Sequence, residues 1–214
     1  MQIVIALFDR FTALDAVGPH QVLCHLPGAE VVFAAERRGG VTDESRTLTL
    51  QAQASFADVP RPDIIVVPGG PGQAAQMGSG PLADWLIAAD KTSTWTTSVC
   101  TGALILAAAG LLDGRAATTY WLALDELRRL GAIPRQERYV FDGKYVTGAG
   151  VSAGIDMALA LAGRVAGDDV AKRIQLGIEY DPQPPYQSGS PVTATPDIVE
   201  TFTARSRFAP HTAR

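Results

Sequence analysis

Three runs in this chain, residues 3–8, 64–67 and 96–100, read as strands without alternation of apolar and polar positions. A strand patterned that way is buried on both faces, as in a parallel sheet covered by helices. Each run leads through a loop into a helix-like stretch. A β-branched run at 29–35 adds another strand, and 55–59 supplies a connection. Helical patterning covers about 15–26, 82–90, 101–109, 120–130, 152–166 and 168–177. This recurring order predicts a doubly wound, mostly parallel α/β sheet flanked by helices. With 214 residues, the chain is expected to form one α/β domain over 1–178, followed by a proline-rich arm and C-terminal helix or tail over 179–214.

The stretch 101–109 is apolar all round and built of small residues, so it should lie buried against the sheet. Over 120–130, Trp121, Leu124 and Leu127 mark one buried face, and Gly131 closes the helix. Residues 139–141 and 144–147 flank Asp142 and Gly143, a two-residue hairpin signal. After Glu179 the chain becomes extended and proline-stiffened, with a final helix from Pro196 to about Arg205. Such a tail serves either as a lid on its own domain or as an arm on a partner subunit.

Charge and cysteine usage narrow the function classes. The net charge of −4 leaves no basic excess to neutralise phosphates, so no nucleic-acid partner is expected. The longest nearly continuous apolar stretch, 103–112, is about half of the ~20 residues a membrane span needs, and no membrane partner is expected either. Residues 1–8 reach Asp9 and Arg10 too early for a signal peptide. With only Cys24 and Cys100, on different elements, a disulfide framework is not expected and a cytoplasmic location is.

One constellation carries chemistry. Residues 96–100 form a buried strand ending in Cys100, which opens a helix. Ser98 and Gly102, two before and two after it, meet the steric demand of a nucleophile elbow. An elbow is expected to expose Sγ and, through unpaired backbone N–H groups, to lower the thiol pKa. The loop Pro68-Gly69-Gly70-Pro71 follows a strand at the ligand-binding edge of such a sheet; Gly70 N–H is either an oxyanion donor or part of a tight turn. Asp15, at the start of the first helix, reads either as an N-cap or as an acid or base able to reach Cys100. Histidine partners are scarce: His20, His25 and His211 are the whole set. His20 and Cys24 share a helix face with too few ligands for a metal, and no metal site is expected.

Together, Leu14 to Pro19, Val67 to Gly70, Ser98 to Gly102, Ala117 to Trp121 and Gly150 to Asp156 resemble the ThiJ/PfpI superfamily, relatives of the class I glutamine amidotransferase fold. The likeness covers about residues 1–190. Thr101 directly after the cysteine, where the protease-like branch has histidine, resembles the branch whose members hydrate isonitriles. Tyr120 stands where that branch commonly has histidine, and Ala149 interrupts a glycine-richer run. The resemblance implies a flavodoxin-like fold and a lyase-type hydration of a small-molecule isonitrile to an N-substituted formamide, with no metal or organic cofactor. It implies Cys100, Asp15 and Thr101 as catalytic residues, Gly69 and Gly70 with Tyr120 and Trp121 at the substrate, and a homodimer. Other readings are a cysteine-based redox or stress sensor, a ligand-binding relative of transcription regulators without turnover, and a glyoxalase or deglycase activity.

Overall fold

The computed structural model describes residues 1–208. Its strands are β1 (Gln2–Ala6), β2 (Glu30–Ala35), β3 (Gly39–Thr42), β4 (Thr49–Ala52), β5 (Ala54–Ser55), β6 (Ile64–Val67), β7 (Trp95–Val99), β8 (Ala116–Ala117), β9 (Ile133–Pro134), β10 (Tyr139–Asp142) and β11 (Tyr145–Gly148). Seven of them form one sheet in the order β10-β11-β7-β6-β1-β2-β5. All pairings in it are parallel except β10 with β11. Ile3, Val4, Ile5 and the whole of β6 are fully buried, as their unbroken apolar patterns require.

The helices are α1 (Ala13–Leu23), α2 (Pro81–Asp90), α3 (Gly102–Ala108), α4 (Leu124–Arg129), α5 (Ala153–Ala166), α6 (Asp168–Gly177) and α7 (Pro196–Ala204). From β1 the chain first winds outward to β2 and β5, then returns to β6 on the other side of β1 and proceeds to β7 and β11. Right-handed crossovers put the helices of the two windings on opposite faces of the sheet. Accordingly α5 packs with α1 and α6, while α2 and α4 pack with α3. The reversal of direction lies at β1 and β6, whose carboxyl ends therefore open a crevice suited to a ligand. Among the described residues, no helix is long and apolar enough to cross a membrane.

Several local expectations need adjustment. The stretch 120–130 is not one helix: a 3-10 turn at Trp121–Ala123 precedes α4, and of the expected apolar face only Leu127 is fully buried. The hairpin pairs Asp142 with Tyr145, so its two loop residues are Gly143 and Lys144. Helix α1 begins at Ala13 with Thr12 at its N-cap position, which makes Asp15 an interior first-turn residue rather than a cap. The β3–β4 hairpin has no counterpart in the sequence reading, because its strands are polar and short.

Trp85 on α2 shows how the outer helices are held. Its ring stacks on Phe56 at 4.9 Å, and its indole N–H donates to the Val59 carbonyl at 2.9 Å. Trp85→Phe leaves that carbonyl unpaired and thins the packing. A loss of about 1–3 kcal/mol is expected in urea unfolding.

Candidate active site

Three loops meet at the crevice, and backbone contacts fix their spacing. Thr12 N–H donates to Gly69 O at 2.8 Å, tying the loop after β1 to the loop after β6. A Cβ on Gly69 would lie 2.5 Å from Thr101 N, and one on Gly70 would lie 2.6 Å from both Arg10 O and Thr12 N. Gly70 also has φ +129°, which side-chain-bearing residues avoid. These two positions need glycine because the loops have no room for anything larger.

Cys100 follows β7 with φ +56°, a strained conformation for a residue with a side chain. The strain is held from several sides. Cys100 N–H is shared between the Gly148 and Ala149 carbonyls at 3.1 and 3.0 Å, and Thr119 Oγ1 donates to Cys100 O at 2.8 Å. A Cβ on Gly102 would sit 2.1 Å from Val67 O, so the small residue expected there is sterically obligatory. This is the elbow that the spacing of Ser98 and Gly102 implied.

The elbow does not leave its thiol open. Cys100 is only 6% exposed, on the floor of a cavity of about 450 Å³. The backbone N–H groups of Thr101 and Val151 are directed at its sulfur and favour the thiolate. Burial outweighs them and, with the neighbouring Asp15 carboxyl, pushes the thiol up rather than down. The expectation of an exposed, low-pKa thiol is thus corrected by desolvation.

Asp15 is fully buried, and Gly69 N–H donates to its Oδ2 at 2.9 Å. Oδ1 has no hydrogen-bond partner of good geometry, although the Cys100 thiol is close enough to favour the ionised carboxyl weakly. Burial dominates and pushes the Asp15 pKa up to about 8, with the Glu44 charge adding to the rise. At pH 7 Asp15 is therefore mainly protonated. Its charge on Cys100 is then largely absent, and burial is what keeps the thiol's proton on.

The remaining expected residues divide. Thr101 is buried, and its Oγ1 accepts from Gly70 N–H at 3.0 Å, so that N–H is already engaged and is not a free oxyanion donor. Tyr120 lines the cavity beside Cys100, and burial raises its phenol pKa. Trp121 is not among the residues lining this cavity: it shares a neighbouring cavity of about 500 Å³ with Tyr120 and Val151 and borders a smaller one beside residues 188–202. Among the described residues no histidine lines the Cys100 cavity. His20 stacks on Phe33 at 5.1 Å, and His211 lies outside the described residues.

Three contributors escaped the sequence reading. Val151 supplies an N–H to the sulfur; it lies in the Gly150 to Asp156 segment, but nothing in its side chain announces a backbone role. Glu44 lines the cavity and accepts from Thr12 Oγ1 at 3.0 Å. Arg207 lines it from the chain's own tail, where the guanidinium bonds to the Gly70 loop. Arg207 thus lies over the domain it belongs to.

Comparison with known proteins adds the relatives. A family model described as the DJ-1/PfpI family matches residues 1–164. The chain is 44% identical over 210 residues to an isonitrile hydratase of Pseudomonas putida, spanning 98% of this chain and 91% of that one. It is 29% identical over 140 residues to the HTH-type transcriptional regulator CdhR of Pseudomonas aeruginosa, covering 64% of this chain and 41% of the regulator. Among solved structures, a ThiJ/PfpI family protein from Pseudomonas syringae superimposes with a TM-score of 0.92 at 34% identity, over 97% of this chain and 88% of that one.

Proposed function

The chain belongs to the DJ-1/PfpI family, and from that premise and the buried Asp15–Cys100 pair we propose that it hydrates an organic isonitrile to the N-substituted formamide. The reaction class comes from the relative that shares 44% of its residues. The observation that carries the reading is a carboxyl with a pKa of about 8, hence a proton to give at pH 7, directly beside a buried thiol.

An isonitrile carbon takes up a proton and a nucleophile at the same atom. In the proposed sequence Asp15 delivers its proton to that carbon while Cys100 Sγ bonds to it. The thiol's hydrogen passes to Asp15, which is left protonated as before. The product is a thioimidate, R–N=CH–S–Cys100. Water, with Asp15 moving its proton, then adds to the same carbon, and the C–S bond breaks to release R–NH–CHO and the free thiol. Nothing is oxidised or reduced. The Thr101 and Val151 N–H groups hold charge that develops on sulfur, and the Thr101 hydroxyl keeps the Gly70 loop in place. Tyr120, Leu122, Val151 and Phe202 give the R group a mainly apolar wall.

The direct test incubates the purified chain with cyclohexyl isonitrile in ¹⁸O-water and follows N-cyclohexylformamide by mass spectrometry. Many turnovers per chain, with label in the formyl oxygen, are expected. Product no faster than in buffer, or one equivalent bound to Cys100 and nothing released, would leave a reactive thiol of the sensor type instead of an enzyme.

A further inference from the structure

The cavity above Cys100 has one wall that belongs to none of the sheet or its covering helices. Thr201, Phe202, Arg205, Ser206, Arg207 and Phe208 close it from the C-terminal tail. Helix α7 has no buried residue and makes no extensive contact with any other helix or strand. Its Ile198 and Phe202 remain 41% and 55% exposed while bordering the small cavity beside Trp121. Segments with few buried apolar contacts open locally at low free energy.

Against this weak packing, one side chain makes a concentrated attachment. Arg207 Nη1 donates to Pro71 O at 2.9 Å, and Nη2 donates to Gly70 O at 3.1 Å and to Gln73 Oε1 at 2.8 Å. Gln73 is 2% exposed, so this acceptor is a fixed part of the domain. The forked guanidinium suits three acceptors in one plane region, which a lysine ammonium on a single point cannot span equally. Phe208, next in the chain, packs against the main core. The tail is therefore pinned at Arg207 and Phe208 and loose along α7.

We propose that residues 196–208 form a detachable wall of the Cys100 cavity, latched by Arg207, which sets the size of the R group the site accepts. The inference rests on the reading of this cavity as the isonitrile site. With the latch made, the R group is confined to about 450 Å³ bounded by Phe202 and Phe208. With it broken, the same floor of Cys100 and Thr101, with Asp15 buried beneath it, faces an open groove that admits bulkier groups. Arg207 is a specificity-determining residue and takes no part in bond making.

The experiment compares the full chain with Arg207→Ala and Arg207→Lys, all in a Cys24→Ser background so that a single thiol reports. Two readouts are taken: the rate of Cys100 alkylation by iodoacetamide, and the ratio of kcat/KM for a bulky aryl isonitrile to that for methyl isonitrile. For Arg207→Ala, alkylation about tenfold faster and a ratio raised about tenfold are expected, with the lysine variant between. Unchanged alkylation in a variant that retains its circular dichroism overturns the latch. Faster alkylation at an unchanged ratio overturns the specificity role. If no isonitrile is hydrated by any variant, the functional reading fails by itself, and the alkylation rates still decide whether Arg207 holds the wall.

Discussion

Asp15→Asn is expected to lower hydration by ~10²–10⁴-fold while making the fold more stable at pH 8. Asparagine keeps the shape and can still accept from Gly69 N–H at the position of Oδ2. It cannot hand a proton to a carbon and take one back. The stability change follows from linkage. The folded pKa of about 8 lies above the ordinary value of 3.8, so between those pH values the folded chain binds a proton that the unfolded chain has lost. Stability from this group is complete below about pH 4 and declines as pH rises through 8. Asparagine carries no such dependence and should gain on the order of a few kcal/mol at the alkaline end. Turnover of the unmodified chain should likewise fall above about pH 8, as the acid ionises. Urea unfolding at pH 5 and pH 8, with turnover followed from pH 5 to beyond pH 8, checks all three. Full activity in the asparagine variant would remove Asp15 from the mechanism.

Cys100→Ala should bring turnover to the level of buffer, since it removes the one thiol lining the cavity and the hydroxyls that remain are far weaker nucleophiles. The fold should survive. Alanine meets the same positive φ as cysteine, and the contacts that hold the elbow are backbone carbonyls and the Thr119 hydroxyl rather than the sulfur. Loss of one buried sulfur atom is expected to cost about 1 kcal/mol. Cys100→Ser is the finer control: it preserves shape but supplies a far weaker nucleophile. Residual hydration by the alanine variant, measured as labelled formamide, would mean that water adds directly and the thiol is a bystander.

The sequence made the sheet legible because burial on both faces leaves an unmistakable pattern in 3–8 and 64–67, and because the order of strands and helices constrains winding. The elbow was legible for a related reason: only a small residue tolerates the approach of Gly102 to Val67 O, and that demand is written at fixed offsets from Cys100. What stayed hidden was whatever depends on distant backbone. The N–H of Gly70 looks free in the sequence but meets the hydroxyl of Thr101, 31 residues away. The thiol looks exposed by its turn, yet a tail residue more than 100 positions later helps to cover it. Trp121 and Tyr120 are adjacent and share one neighbouring cavity, yet only Tyr120 also reaches the one over Cys100.

The close approaches at Gly69 and Gly70 also bear on how sites of this kind diversify. The atoms that forbid a larger residue there are mostly main-chain atoms of Arg10, Thr12 and Thr101, which no compensating substitution can remove. The reacting floor is therefore closed to gradual change. The surrounding wall consists of side chains from separate segments, among them Tyr120, Leu122 and Phe202, each free to vary by itself. A lineage built on this scaffold can explore new substrates by exchanging wall residues singly, with the proton-handling pair left in register throughout. Libraries aimed at altered selectivity should be confined to those positions.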